Sequence, residues 1–237
     1  MKELNIFGQY VGRHLEGNLD FILPDTRQLS GRYCHLQPLA TYHCDDLYQG
    51  WHSIEDPRDW TYLPDERPET RQATFDYIKR IISQGGISYY SIIENKSAKA
   101  RGTLALFNID KNNGVAEIGY VHLTPAIKRT FLSTEAIYLL LMYVFDVLKY
   151  RRCEWQTDTL NHAGMNAAER IGFRKEGILR DKQIIKSRSV DIATYSIISA
   201  EWPKISSAIS VWLRTENLDE RGHQIHPLRH YLAEPEV

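Results

Sequence analysis

A mixed α/β fold is what this chain of 237 residues predicts, on three observations. Residues 87–123 alternate apolar and polar positions, rich in β-branched side chains and broken twice by turn residues, as an antiparallel meander does. Residues 134–148 are apolar on nearly every side, the mark of a helix buried across a sheet face. Strand, buried helix, strand, helix and strand then succeed one another to about residue 199, which is an α/β order.

Taken in order, residues 1–30 are Gly-rich and polar and read as an extended arm leading to a strand at about 33–36. Thr41 is placed to cap a short helix ending near Gly50, because its hydroxyl can accept an orphan backbone N–H. Residues 55–69 hold Pro57, Pro64 and Pro68 among many charges and must be a loop, although Trp60, Tyr62 and Leu63 in it are bulky. A helix follows, with Pro68 at its start, Phe75, Ile78, Ile81 and Ile82 as its core stripe and Gly85-Gly86 as its stop. The meander strands span about 87–93, 102–109 and 115–123, separated by Asn95-Lys96-Ser97 and by 110–114, whose Asn, Asp and Gly residues accept positive φ. In the long helix, Ala136, Ile137, Leu139, Leu140, Leu141, Val144, Phe145 and Val147 leave little polar face. Residues 152–157 read as a short strand, 161–171 as a helix closed by Gly172, and 173–185 with 190–199 as a closing hairpin. The organisation expected is an arm over 1–30, a domain over 31–203, and a helix with a polar tail over 204–237.

Lys plus Arg, 29, nearly balances Asp plus Glu, 30, so no net field attracts a polyanion and nucleic acid is not an expected partner. With 43% hydrophobic and 25% charged residues, the composition is that of a soluble globular protein. No apolar run reaches the ~18 residues of a membrane span. The N-terminus lacks the apolar core of a secretory signal, so a cytoplasmic protein without a membrane partner is expected. Cys34, Cys44 and Cys153 are odd in number and widely spaced, which fits reduced thiols. His223, His226 and His230 are irregularly spaced among polar residues, so a solvated end is expected and no metal.

One stretch goes beyond a generic α/β pattern. Glu117-Ile118-Gly119-Tyr120-Val121-His122-Leu123-Thr124-Pro125 is followed by Lys128-Arg129-Thr130-Phe131-Leu132-Ser133-Thr134-Glu135-Ala136, which opens the long helix. A second motif begins at Asn161 and closes on Gly172-Phe173. Leu29-Ser30-Gly31-Arg32, Leu36 with Pro38-Leu39, Trp60-Thr61-Tyr62-Leu63-Pro64, and Ile185-Lys186 with Arg188-Ser189 and Asp191 complete the set. Over about residues 5–203 the chain resembles the GNAT superfamily of acyl-CoA N-acyltransferases, and within it the ribosomal-protein alanine acetyltransferase (RimJ/RimL) type.

The resemblance implies a GNAT fold: a mostly antiparallel central sheet splayed between two parallel strands, with helices on both faces. It implies acetyl-CoA as co-substrate and, as acceptor, a primary amine on a protein N-terminus or a small molecule. The coenzyme A pyrophosphate would sit on Lys128, Arg129, Thr130, Phe131, Leu132, Ser133 and Thr134. A strand-to-helix turn suits it, because free backbone N–H groups and the positive end of the helix dipole point at an anion there. The pantetheine arm would run beside Tyr120, Val121 and Leu123 as an added strand, with Asn161 bonding its amide. The family's loop carries glycines, and here Phe131 stands in the central one's place, so easy access to positive φ is lost. Lys128 and Arg129 offer charge-assisted bonds to phosphate instead. Gly164 replaces the family's usual Ser, and Ala168 the tyrosine acid of many relatives.

N-acyl transfer needs a neutral amine, and a lysine-like amine, with a reference pKa of ~10.4, must first lose a proton to a base or a water chain. Holding the two reactants together supplies much of the rest. Glu117, three residues before Tyr120 on the strand lining the cleft, is the first candidate base, with His122 and Asp158 behind it. By resemblance, Trp60 and Tyr62 face the acceptor side, in a loop of the kind that often carries function. Phe131, Gly164 and Ala168 also support another reading, a non-catalytic module that binds acyl-CoA as a sensor or structural partner. The arm before Gly31 and the tail after Trp202 are available to a partner subunit, which leaves a homo-oligomer open.

Overall fold

Eight strands form one sheet in the computed structural model, which describes residues 3–17, 19–220 and 223–233. A separate hairpin in the arm, β1 (Glu3–Leu4) with β2 (Tyr10–Val11), precedes it. The sheet begins with β3 (Leu29–Ser30), β4 (Cys34–Pro38), β5 (Ser88–Glu94), β6 (Lys99–Asp110) and β7 (Val115–Leu123), each antiparallel to the one before. It continues through β8 (Arg152–Asp158), which lies parallel to β7. The hairpin of β9 (Arg174–Ile185) and β10 (Arg188–Ile198) closes it, with β10 on β8 and β9 at the edge.

Alternation along the strands sorts side chains into two layers. Tyr89, Ile93 and Ala105 face α1 (Cys44–Trp51) and α2 (Arg71–Ile82), packing with Leu47, Trp51, Ile78 and Ile81. Tyr90, Ile92, Leu104, Leu106, Ala116 and Ile118 belong to the other core, built on α3 (Phe131–Met142) with α4 (His162–Ile171) and α5 (Trp202–Trp212). Helices therefore cover both faces of a mixed sheet. Leu140 and Leu141 of α3 are fully buried, each contributing about 2 kcal/mol by loss of apolar surface. A short α6 (Leu228–Leu232) packs on α5. Among the described residues no helix is long and apolar enough to cross a membrane, and no group of His, Cys, Asp or Glu side chains could hold a metal ion.

Local details differ from the pattern read in the sequence. Thr41 opens a 3-10 turn, Thr41–His43, and does not cap α1; the His43 ring accepts the Ala40 N–H at 3.1 Å instead. Gly50 lies inside α1, where a Cβ would collide with Thr124, so close approach and not helix termination calls for it. On α2 the buried face is Thr74, Ile78 and Ile81, while Phe75 and Ile82 reach solvent; Thr70, two residues past Pro68, caps it by accepting the Ala73 N–H at 3.1 Å. The long helix starts at Phe131, three residues early, and ends through a π-helical turn, Tyr143–Val147.

One buried carboxylate ties α3 to the start of β4. Glu135 accepts the backbone N–H groups of Arg32, Tyr33 and Cys34 at 2.8, 2.7 and 2.8 Å. A Cβ on Gly31 would lie 2.7 Å from its Cδ, so Gly31 makes room for this clasp. Glu135→Ala leaves three backbone donors, the Cys34 N–H among them buried, without this acceptor, and urea unfolding should report a loss of about 2–3 kcal/mol.

Candidate active site

The cleft arises because β7 and β8 part company. Their parallel pairing covers Val115↔Arg152, Ala116↔Cys153 and Glu117↔Glu154 and then stops, while β7 continues on β6 as far as Gly102↔Leu123. Two bulges re-aim the strands here. Between Phe107↔Glu117 and Asp110↔Val115 the extra residue is on β6, where Asn108 has φ +48°. Between Thr103↔His122 and Ala105↔Gly119 it is on β7, where Tyr120 has φ +49°. Bulges sharpen strand twist and turn a strand from its neighbour. Past Glu117, β7 therefore presents to β8 an edge without a ladder partner, which an extended chain can join.

Glu117 sits where the two strands separate, and is 4% exposed. A single oxygen, Oε2, accepts both the Asn108 amide at 2.8 Å and the Gln156 amide at 3.2 Å. Burial pushes its carboxyl up to about 7, the Asn108 bond pulls it down, and the Glu154 charge adds to the rise. A carboxyl poised near neutrality and dry can take up or give up a proton at working pH. Neither Asn108 nor Gln156 stood out in the sequence. Asparagine at a strand bulge was the one available signal for the first.

The turn between β7 and α3 carries the residues expected at a phosphate. Positive φ falls on Arg129, +61°, and not on Phe131, which is the first residue of α3 and packs on Tyr33 with ring centroids 4.3 Å apart. A loop without glycine thus reaches the left-handed region at an exposed arginine. Thr130 is the N-cap, but its hydroxyl donates to Ile127 O at 2.8 Å and no side chain caps the helix. Ser133 Oγ likewise donates to Thr130 O at 2.8 Å, and Leu132 is buried. Thr134 is buried and accepts Arg170 Nη2 at 2.6 Å. An uncapped first turn leaves backbone donors for an anion. Lys128, however, is ion-paired with Asp59.

His122 and Trp60 lie together on the α1–α2 side. The ring centroids are 4.4 Å apart at 62°, and the Trp51 ring stands 5.3 Å from His122. Desolvation drives the His122 imidazole down to about 3, so it is neutral at any physiological pH. Trp60 is fully buried, whereas Tyr62 is exposed and its hydroxyl donates to Leu160 O at 2.9 Å.

Across the cleft, Asp158 serves the turn after β8: its carboxylate accepts the Leu160 N–H at 2.8 Å and its carbonyl the Asn161 N–H at 2.9 Å. Asn161 caps α4, accepting the Gly164 N–H at 3.0 Å and donating to Thr157 Oγ1 at 3.1 Å. A Cβ on Gly164 would approach Thr157 Oγ1 to 2.6 Å, which accounts for glycine there. Ala168 is fully buried in the core. The structure therefore gathers Glu117, Tyr120, Val121, Leu123 and the 128–134 turn along one strand and helix end, with Asn161 and Asp158 at the end of β8. His122 and Trp60 form a neighbouring group, joined to that turn by the Asp59–Lys128 pair.

A polar pocket of 210 Å³ lies on the sheet face next to Gln156, lined by Arg152, Glu154, Glu176, Leu179, Thr194 and Tyr195. Arg152 bridges Glu154 and Glu176 there. A larger hollow of 350 Å³ lies between α1 and α2 around the Asp45–Arg71 pair, away from these groups.

Likeness to known proteins bears on the fold as a whole. The model of the acetyltransferase (GNAT) domain matches residues 34–174. The crystal structure of a GCN5-related N-acetyltransferase from Brucella melitensis superposes with a TM-score of 0.85 at 37% identity, over 88% of this chain and 95% of that one. A probable GNAT-family acetyltransferase from Chromobacterium violaceum ATCC 12472 superposes with a TM-score of 0.75 at 32% identity, over 81% and 96%. In sequence, the uncharacterised N-acetyltransferase p20 of Bacillus licheniformis is 28% identical over 167 residues, 70% of this chain and 93% of that protein.

The Glu117 carboxyl has a stability signature. Its pKa is raised on folding, so the folded state holds the proton more tightly than the unfolded one. Stability is therefore highest below the ordinary carboxylate range and falls as pH rises through about 7, above which the loss is complete. Glu117→Gln keeps an oxygen for Asn108 and Gln156 and removes the titration. It should match the parent near pH 4 to 5 and exceed it by about 3 kcal/mol near pH 8, measured by denaturant unfolding at each pH.

Proposed function

The chain belongs to the GNAT acetyltransferase family, and from that premise we propose that it moves an acetyl group from acetyl-CoA to a primary amine in the cleft between β7 and β8. The acceptor is a protein N-terminus or a small-molecule amine. The observation that carries this reading is the Glu117 carboxyl, buried at the parting of the two strands with a pKa raised to about 7. Acetyl-CoA supplies the acetyl group as a thioester.

The residues present fit such a ligand. The unpartnered edge of β7 through Tyr120, Val121 and Leu123 offers N–H and C=O groups to the amides of pantetheine, as strand addition does. The uncapped first turn of α3, with Arg129 beside it, suits pyrophosphate. Asn161 uses one donor and one acceptor for the α4 cap, and its amide keeps one more of each for the ligand. Glu117 takes the proton from the incoming ammonium, since at neutral pH a large fraction of it is ionised. Asn108 and Gln156 hold its carboxylate in place. The acceptor approaches from the polar pocket beside Gln156. His122, neutral and walled in by Trp51 and Trp60, takes no proton while that wall is closed.

Ala168, buried where many relatives carry a tyrosine, favours the sensor reading, because no acid stands at that position. Release of free coenzyme A thiol from acetyl-CoA with a panel of N-terminal peptides and polyamines separates the two. Transfer should rise with pH through about 7, and Glu117→Gln should lower kcat about 100-fold while leaving the acetyl-CoA Kd within about twofold. Binding of acetyl-CoA without release for any amine would make the protein a sensor.

A further inference from the structure

The polar pocket on the sheet face adjoins Glu117 through Gln156 and Glu154, and its charges do not cancel. Among the described residues that line it, Arg152 is the one cation, against Glu154 and Glu176. Glu176 binds that guanidinium with both oxygens, taking Nη1 at 2.8 Å, and also accepts the Ser196 hydroxyl at 2.8 Å. Such a two-pronged pair absorbs the charge of the arginine. Glu154 accepts only Nε, on Oε1, at 2.6 Å, and among the described residues no donor reaches its Oε2. Glu117 stands opposite Glu154 on the neighbouring strand and is 4% exposed. Its Oε2 takes two amides, and its Oε1 likewise has no donor among the described residues. Two carboxylates on adjacent strands, about 5 Å apart at the backbone, thus each keep an unused acceptor. An oxygen so far out of water calls for a donor, and the excess negative charge calls for a cationic one.

We propose that the acceptor is a small aliphatic diamine or polyamine, its reacting ammonium on Glu117 and a second ammonium held in the pocket by Glu154. This rests on the acetyl-transfer reading of the cleft. Both ammonium groups of such a molecule are charged at neutral pH. The Glu154 side chain is 27% exposed, so its pull on a cation is screened less than that of an open surface carboxylate. The pocket measures 210 Å³, room for roughly seven water-sized groups, which a four-carbon diamine fills. Leu179 gives its methylenes an apolar wall. Glu117 takes one proton from the near ammonium, and the freed nitrogen attacks the thioester carbonyl. The C–N bond forms, the C–S bond breaks, and the second proton of that nitrogen leaves on the coenzyme A thiol. The far ammonium keeps its protons throughout. A product that re-entered with its free amine on Glu117 would bring Glu154 only a neutral amide, so acetylation stops at one end. Glu154 is a specificity residue here and touches no reacting atom.

The test uses the full chain with acetyl-CoA and follows thiol release and product mass with diaminobutane, with butylamine as the equal-length amine lacking the second charge, and with N-terminal peptides. The kcat/KM for diaminobutane should exceed that for butylamine about tenfold, and the product should carry a single acetyl group. Glu154→Gln should raise KM for diaminobutane about tenfold and bring the ratio of the two amines close to one, while Glu154→Asp should keep part of the preference. The ratio in the parent protein is a test that needs no variant. Equal or lower kcat/KM for diaminobutane, or transfer confined to the peptides, would overturn the diamine assignment and leave acetyl transfer standing. A preference retained in folded Glu154→Gln would overturn the role of Glu154. No thiol release with any amine would overturn both readings.

Discussion

The divergence of β7 from β8 after Glu117↔Glu154 is the constraint on which the rest of the site depends. Were the ladder to continue, the strand edge would be consumed, Glu117 would face a neighbouring strand, and α3 would begin against a closed sheet. Two bulges on the β6–β7 pair enforce the parting, each with a non-glycine residue in the left-handed region, Asn108 and Tyr120. Such backbone costs of order 1 kcal/mol or more per residue and persists only where the surroundings over-determine it. Here the surroundings do: Ala116 and Ile118 are locked into the core under α3, and Tyr120 packs on Tyr89 and Phe107.

Electrostatics in the cleft follow from the same parting. Glu117 is dry because the strands still pair beneath it, and it borders the free edge of β7 because they separate above it. The α3 N-terminus, left without a capping side chain, has the positive end of the helix dipole open, and Lys128 and Arg129 precede it. Two cations beside that end are unfavourable without an anion. Asp59 supplies one in the structure, which is why a carboxylate from a distant loop is held so far out of water. In the proposed reaction, ionisation of Glu117 and the seating of an anion at α3 are the two charge events.

Much of the frame was legible in the sequence because it rests on local periodicity. The period-two stretches became β5, β6 and β7, and the all-round apolar stretch became α3, since a helix with no polar face has nowhere to go but against a sheet. The start of α3 lies three residues before the one its apolar pattern predicts, because Phe131 and Ser133 occupy places that the family's loop gives to glycine. What the sequence concealed is long-range. Gln156 meets Glu117 across 39 residues and Lys186 meets Trp60 across 126, and no spacing rule links them. The bulges were hidden for another reason: neither Asn108 nor Tyr120 is a glycine, so nothing marked a positive φ inside a strand. Thr41, Phe75 and Ile82 were misjudged because cap and face assignments depend on the docking angle of a helix, which packing decides.

The central claim is that acyl-CoA lies along the free edge of β7 and on the first turn of α3. Amide hydrogen exchange, with and without acetyl-CoA, addresses it at single-segment resolution. The account predicts slower exchange confined to residues 119–123 and 131–133. Protection elsewhere on the sheet, or none in those two segments at saturating acetyl-CoA, would contradict it.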